Sequence, residues 1–116
     1  MCFPKDIRQN KYNAVKTTVD GVTFDSKKEA SRYCELKLLE RAGQVHCLEL
    51  QVRYEICPKV NSLRARYYVA DFTYWENGQK VVEDVKSPIT RKNPVYTLKK
   101  QLFLLHYGKT VEFRET

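Results

Sequence analysis

Asp71, Asp84 and Lys86 are the residues whose types and spacing carry chemistry in this sequence. Between the two acids lies Asn77-Gly78, the strongest tight-turn dipeptide in the chain, because both residue types tolerate the positive φ of a two-residue hairpin. Such a turn pairs Glu76 with Gln79, and counting outward sets Asp71 directly opposite Asp84. Facing residues on an antiparallel pair hold their Cβ atoms about 4.5–5.5 Å apart, where like charges destabilise the sheet. Side chains two apart share a face, so Lys86 stands beside Asp84 and diagonal to Asp71, with Val69, Val82 and Trp75 for neighbours. Two acids so placed require compensation. A Mg²⁺ ion provides it, taking oxygen ligands at about 2.0–2.1 Å while keeping several waters, and the peptide carbonyl of Val85 adds a further oxygen. Phosphodiester hydrolysis needs these parts: a metal to neutralise phosphate and activate water, and a cation to orient that water and stabilise the developing charge.

Those groups need two strands side by side, and the remaining sequence supplies a frame. The chain has 116 residues, 42% hydrophobic and 30% charged, with only four Gly and four Pro, which excludes collagen-like and low-complexity classes. A chain of that length buries roughly two-thirds of its unfolded surface, enough for a core without staples. Residues 1–15, with Lys5, Arg8 and Lys11 among polar neighbours, read as a basic arm, and 16–116 as a single domain. Valines and threonines around Asp20-Gly21 predict a hairpin over Lys16–Phe24. Ser26 is an N-cap with Glu29 three residues on, opening a helix through Tyr33, Leu36 and Leu39 that Gly43 stops. From His46 to Ile56 apolar and polar residues alternate, giving a long strand with His46, Leu48, Leu50, Val52, Tyr54 and Ile56 on its buried face and room for a bulge. Strands over Arg66–Trp75 and Gln79–Lys86 flank the Asn77-Gly78 turn. Asn93-Pro94 opens a second helix with an apolar stripe of Val95, Leu98, Leu102 and Leu105, and Thr110–Phe113 forms a last strand. The expected fold class is α/β (α+β): a mixed central β-sheet flanked by helices, in the order α-β-β-β-α-β after an N-terminal hairpin.

Charge points to the partner. Lys and Arg number 21 against 14 Asp and Glu, a net charge of +7 that suits a polyanion, nucleic acid before anionic membrane. From Lys86 to Thr110 there are six basic residues and no acid, and Cys57 to Ala70 carries Lys59, Arg64 and Arg66, again without an acid. Arg64, Arg66, Arg91 and Lys92 read as phosphate contacts that position a nucleic acid without reading its sequence. Four cysteines (Cys2, Cys34, Cys47, Cys57) lack Cys-x-x-Cys spacing, which argues against structural zinc and for reduced, mostly buried thiols. His46 and His106 read as structural, and no Ser/His/Asp set or Gly-rich phosphate loop occurs. Glu83, the competing acid, alternates onto the Phe72–Val85 side, toward solvent or behind the site. No apolar run is long enough to span a membrane, and the first six residues lack the apolar stretch of a secretory signal.

Asp71 in Val69-Ala70-Asp71-Phe72, then Asp84-Val85-Lys86, then Glu29 in Ser26-Lys27-Lys28-Glu29 resemble the signature of the PD-(D/E)XK nuclease superfamily, whose core element order also matches. The resemblance covers about residues 25 to 114, with Ala70 where that family often carries proline. Within the superfamily it is similar to small phage-encoded members related to Holliday-junction resolvases. What it implies is a restriction-endonuclease-like core and a Mg²⁺-dependent endodeoxyribonuclease, with Mn²⁺ substituting, that leaves a 5′-phosphate. Asp71, Asp84, the Val85 carbonyl and Glu29 would hold the metal, and Lys86 would position the water. Lys99, Lys100 or Gln101 on the following helix would approach the scissile phosphate. Branched DNA as substrate, a homodimer for cutting two strands, and a cytoplasmic setting (that of a bacterial host cell, if phage-encoded) complete the implication. Other readings stand beside it. A Ser26 capping box accounts for Glu29 as well as a ligand role does, and a solvated basic face accounts for Lys99 and Lys100. A non-catalytic nucleic-acid-binding protein on a nuclease fold is one alternative function, and a sequence-specific or RNA-directed nuclease is another.

Overall fold

In the computed structural model, which describes residues 6–9 and 15–116, the chain divides into two compact units, 1–45 and 46–116. In the first, Asp20 and Gly21 take positive φ (53° and 77°), as their types allow. They thereby join two strands whose register ends at Val19↔Val22. The sheet is β1 (Asp6–Gln9), β2 (Val15–Val19) and β3 (Val22–Phe24), antiparallel throughout. β1 falls within residues 1–15, the stretch expected to be a basic arm; there Asp6–Gln9 pairs with β2, and the rest of that stretch up to residue 14 lies outside the described residues. Helix α1 (Lys27–Arg41) starts as its cap predicts, with the Glu29 N–H donating to Ser26 Oγ at 3.1 Å. Glu29, Ala30, Tyr33, Cys34 and Leu36 are its buried residues, with Tyr33 against Phe24 at 5.1 Å between ring centroids. The Tyr33 hydroxyl donates to Asp20 Oδ2 at 3.2 Å, tying helix to turn. Cys34 is disulfide-bonded, while Cys47 is exposed and Cys57 half-buried as free thiols. This corrects the expectation of reduced, mostly buried cysteines.

The second unit is a four-stranded mixed sheet in the order β4 (His46–Cys57), β5 (Arg66–Glu76), β6 (Gln79–Asp84), β7 (Glu112–Glu115). The first three strands are antiparallel and β7 runs parallel to β6, so this chain is α+β with a mixed sheet. Asn77 and Gly78 have φ of 51° and 76°, the turn that starts the register at Glu76↔Gln79 and carries it to Phe72↔Glu83. Along β4 burial alternates from Leu48 to Ile56 as expected. His46 is exposed, a correction caused by a register shift between His46 and Glu49, where Cys47 takes a φ of 56°.

Helix α3 (Pro94–Tyr107) is capped by Asn93, whose Oδ1 accepts the N–H groups of Val95 and Tyr96 at 2.9 and 3.2 Å. It stops at Gly108, where a Cβ would lie 2.5 Å from the Leu104 carbonyl oxygen. Its buried side is aromatic. Phe103 stacks on Tyr68 at 4.8 Å and meets Tyr54 at 5.1 Å, within a cluster that includes Ile56, Ala70 and Val82. The expected stripe is therefore corrected: Val95, Leu98 and Leu105 are exposed, and only Leu102 of the four packs against the cluster. A short helix, α2 (Pro88–Arg91), precedes it, capped by Ser87, so β6 ends at Asp84 rather than at Lys86. Among the described residues no helix is long and apolar enough to cross a membrane.

Candidate functional site

β5 and β6 are the two interior strands of the second sheet, and the site forms where their ladder stops. One step beyond Phe72↔Glu83, side chains replace the backbone pairing. The Asp71 N–H donates to Asp84 Oδ1 at 3.2 Å, and the Val85 N–H donates to Asp71 Oδ2 at 2.9 Å. The register derived from the turn thus reaches the two aspartates, with each carboxylate closing the opposite strand instead of facing its counterpart across a regular pair. Alternation of burial also lapses here: the five residues Ala70–Tyr74 are all buried. Val82 is fully buried, whereas Val69 and Trp75 are exposed.

Lys86 bridges the acids. Its Nζ lies 3.2 Å from Asp84 Oδ1 and 3.4 Å from Asp71 Oδ2, and 5.4 Å from the centroid of the Tyr96 ring, within cation–π range. Burial pulls the ammonium down, but the charges of Asp84 and Asp71 outweigh it and the Lys86 pKa is raised, so the side chain keeps its proton. Burial pushes the Asp84 carboxyl above the usual range despite Lys86. Its side chain is wholly inaccessible. Three buried side-chain atoms among the described residues have no hydrogen-bond partner: the Tyr68 and Thr73 hydroxyl oxygens and Asp84 Oδ2. Of these only Asp84 Oδ2 belongs to an acid. A carboxylate oxygen so placed is satisfied by a proton or by a cation, since desolvating it bare costs several kcal/mol. The donors at hand, Asp84 Oδ2, the Asp71 carboxylate and the Val85 carbonyl, are hard oxygens of the kind Mg²⁺ takes. Among the described residues, no three Asp, Glu, His or Cys side chains converge, so waters would fill the remaining positions.

The other expected residues distribute as follows. Glu29 is buried in the first turn of α1, in the N-terminal unit, and the centre just described is made of residues of the C-terminal unit. Glu83, expected either toward solvent or behind the site, is fully buried, accepting from the Tyr74 hydroxyl at 2.6 Å and the Thr116 hydroxyl at 3.0 Å. Arg64, Arg66, Lys92, Lys99 and Gln101 are exposed. Lys100 is half-buried and donates to Glu115 at 3.0 Å, and Arg91 lies 3.5 Å from the same carboxylate. Arg91, Thr97, Lys100, Gln101 and Leu104 line an open cleft of about 240 Å³ on α3.

Two participants escaped the sequence reading. Tyr96 stacks beneath Lys86 and donates its hydroxyl to Glu115; its place in the first turn of a capped helix was legible, its partner was not. Gln51 donates from Nε2 to Asp71 Oδ1 at 3.4 Å, and nothing in its residue type announces that.

The fold and site together define an α+β chain with a paired-aspartate and lysine centre at the end of two interior strands. The family model for a protein of unknown function, DUF1064, matches residues 9–114, and the chain belongs to that family. No curated protein and no solved structure matches it.

Proposed function

We propose that this chain is a metal-dependent DNA endonuclease that hydrolyses phosphodiester bonds to leave a 5′-phosphate, with branched DNA as its preferred substrate. The observation that carries the reading is Asp84 Oδ2, a buried carboxylate oxygen with no hydrogen-bond partner in the protein, beside a second aspartate. A fold with no use for charge here gains stability from an apolar residue instead. Asp71, Asp84 and the Val85 carbonyl would hold Mg²⁺, with Mn²⁺ able to replace it. When bound, the ion would neutralise the scissile phosphate and lower the pKa of the attacking water.

The chain's own groups do the rest. Lys86, protonated and held by both aspartates, donates to the water or to a phosphate oxygen and stabilises the charge that develops there. The water oxygen bonds to phosphorus as the bond to O3′ breaks; the water releases a proton to solvent, and O3′ takes one up from solvent and departs as a hydroxyl. Exposed Arg64, Arg66, Lys92 and Lys99 supply phosphate contacts that position the strand, with Arg91, Lys100 and Gln101 along the α3 cleft. One such centre cuts one strand, so symmetric cleavage of two strands calls for a homodimer.

Cleavage of a four-way junction, a flap and a linear duplex, with Mg²⁺ and with a chelator, tests the reading. Wild type is expected to cut with metal only, the junction fastest, and Asp84→Asn to cut nothing. Equal cleavage by the variant, or none by wild type, overturns it. One observation favours a second reading: Lys86 already bonds both carboxylates, which suits a non-catalytic nucleic-acid binder with a closed ion-pair centre. That reading expects chelator-insensitive binding and no cleavage. Competition with RNA and with random-sequence duplex separates an RNA-directed or sequence-specific nuclease from a structure-selective one.

A further inference from the structure

Among the described residues, five other than glycine have positive φ: Asp20, Cys47, Gln51, Asn61 and Asn77. Asp20, Asn61 and Asn77 occupy turns and are of the types that tolerate this conformation. Cys47 falls within the register shift between His46 and Glu49. Gln51 has neither excuse. Its φ is 53° in the middle of β4, between the regular pairs Leu50↔Phe72 and Val52↔Ala70. A long, unbranched side chain gains nothing locally from the left-handed region. Strain held in the middle of a paired strand is characteristic of positions that the surrounding structure uses.

What Gln51 reaches is Asp71. Its Nε2 donates to Oδ1 at 3.4 Å, while Oδ2 of the same carboxylate takes the Val85 N–H at 2.9 Å and Lys86 Nζ at 3.4 Å. The two oxygens are therefore held by different segments, Oδ1 from β4 and Oδ2 from the residues just after β6. An amide fixes a carboxylate without cancelling its charge, which a lysine or arginine at this position would do. We propose that Gln51 is a positioning residue of the site, setting the rotation of the Asp71 carboxylate so that it serves the centre with its full negative charge. The catalytic consequence rests on the nuclease reading; the orientation of Asp71 does not.

Two variants separate the amide from the backbone strain. Gln51→Met keeps the length and removes the donor, and Gln51→Gly removes the donor while relieving the positive φ. Each is expected to lower kcat ten- to a hundredfold, the usual effect of losing a group that orients a ligand, with KM for the DNA within about twofold. Gln51→Gly should do so while melting no lower than wild type. In both, the side-chain carboxyl ¹³C resonance of Asp71 should move. Unchanged kcat with an unmoved resonance overturns the proposal, and so does a loss confined to KM, which makes Gln51 a plain DNA contact. If wild type cuts no substrate, the nuclease reading fails and the resonance alone decides: a shift in both variants upholds the positioning role, and no shift ends it.

Discussion

Asp71 and Asp84 close each other's strands: the Asp71 N–H donates to Asp84 Oδ1 at 3.2 Å, and Asp71 Oδ2 accepts the N–H of Val85, the residue after Asp84, at 2.9 Å. Two acids therefore stand where a ladder would otherwise supply neutral carbonyls. The arrangement gives the backbone its partners and concentrates negative charge in one buried place. Lys86 offsets one of the two charges, which leaves an excess for a cation to meet.

Removing the ammonium should expose that excess. Lys86→Met leaves two carboxylates with their shared partner gone, and we expect a loss of about 2–3 kcal/mol, less than for a fully buried pair because the Lys86 side chain is 19% exposed. Adding Asp84→Asn to Lys86→Met should restore most of it. Urea unfolding of the two variants and wild type measures both numbers, and millimolar Mg²⁺ should stabilise Lys86→Met more than it stabilises wild type. A single variant as stable as wild type would show that the ammonium does not balance these acids.

The Asn77-Gly78 turn starts the register that the sheet carries toward the aspartates. Asn77 has a φ of 51°, so Asn77→Ala places a Cβ-bearing residue without a compensating local hydrogen bond in the left-handed region, at roughly 1–2 kcal/mol. A urea midpoint shift of that size with an unchanged slope is the expected result. A changed Asp71–Asp84 contact in the variant's amide spectrum would mean that the turn, and not the sheet's packing, holds the register.

Glu115 offers a pH signature. Burial raises its carboxyl, but hydrogen bonds from Tyr96 and Lys100 and the charges of Lys100 and Arg91 outweigh it and hold the pKa below the ordinary 4.5. An acid lowered on folding contributes stability that is fully present above its unfolded pKa and fades as pH falls through the folded one. Glu115→Gln should therefore be less stable than wild type by about 1–2 kcal/mol near neutrality, with the gap closing below pH 4.5. Denaturation of both proteins across that window is the measurement. A gap that persists undiminished in acid would assign the contact to packing instead of charge.

Much of this was legible in the sequence, and the exceptions share causes. Caps and turns were readable because they depend on one or two residues: Ser26, Asn93 and Asn77-Gly78 behave as their types dictate. The α3 stripe misled because two apolar sets run along that helix. Val95, Leu98 and Leu105 looked like a core seam, yet Phe103 and Tyr107 carry more area per residue and took the sheet. Alternation alone leaves Glu83 open between solvent and a place behind the site, whereas the Tyr74 hydroxyl, the Thr116 hydroxyl and Arg114, which contacts Tyr74 and pairs with Glu76, make a buried place for it. Of these partners Arg114 lies on β7 and Thr116 directly after it, with Arg114 forty residues along the chain from Tyr74. Helix α2 had its signal in Ser87-Pro88, a cap residue and a proline directly after the strand expected to run to Lys86. Gln51 had none, since its part depends on a backbone conformation that the residue type disfavours.

The carboxylate pair closes across a hairpin, thirteen positions apart in sequence, whereas β7 must return parallel to β6 after a helix. Hairpins form in about 1–10 μs, and parallel, non-local pairing is slower. During refolding, like charges are thus driven together before the last strand arrives to brace them. Kinetics should record this: millimolar Mg²⁺ is expected to speed the refolding limb of wild type, and Asp84→Asn to fold fast with or without it. The centre would then act as a barrier on the way to the native state, one that dissolved ions lower.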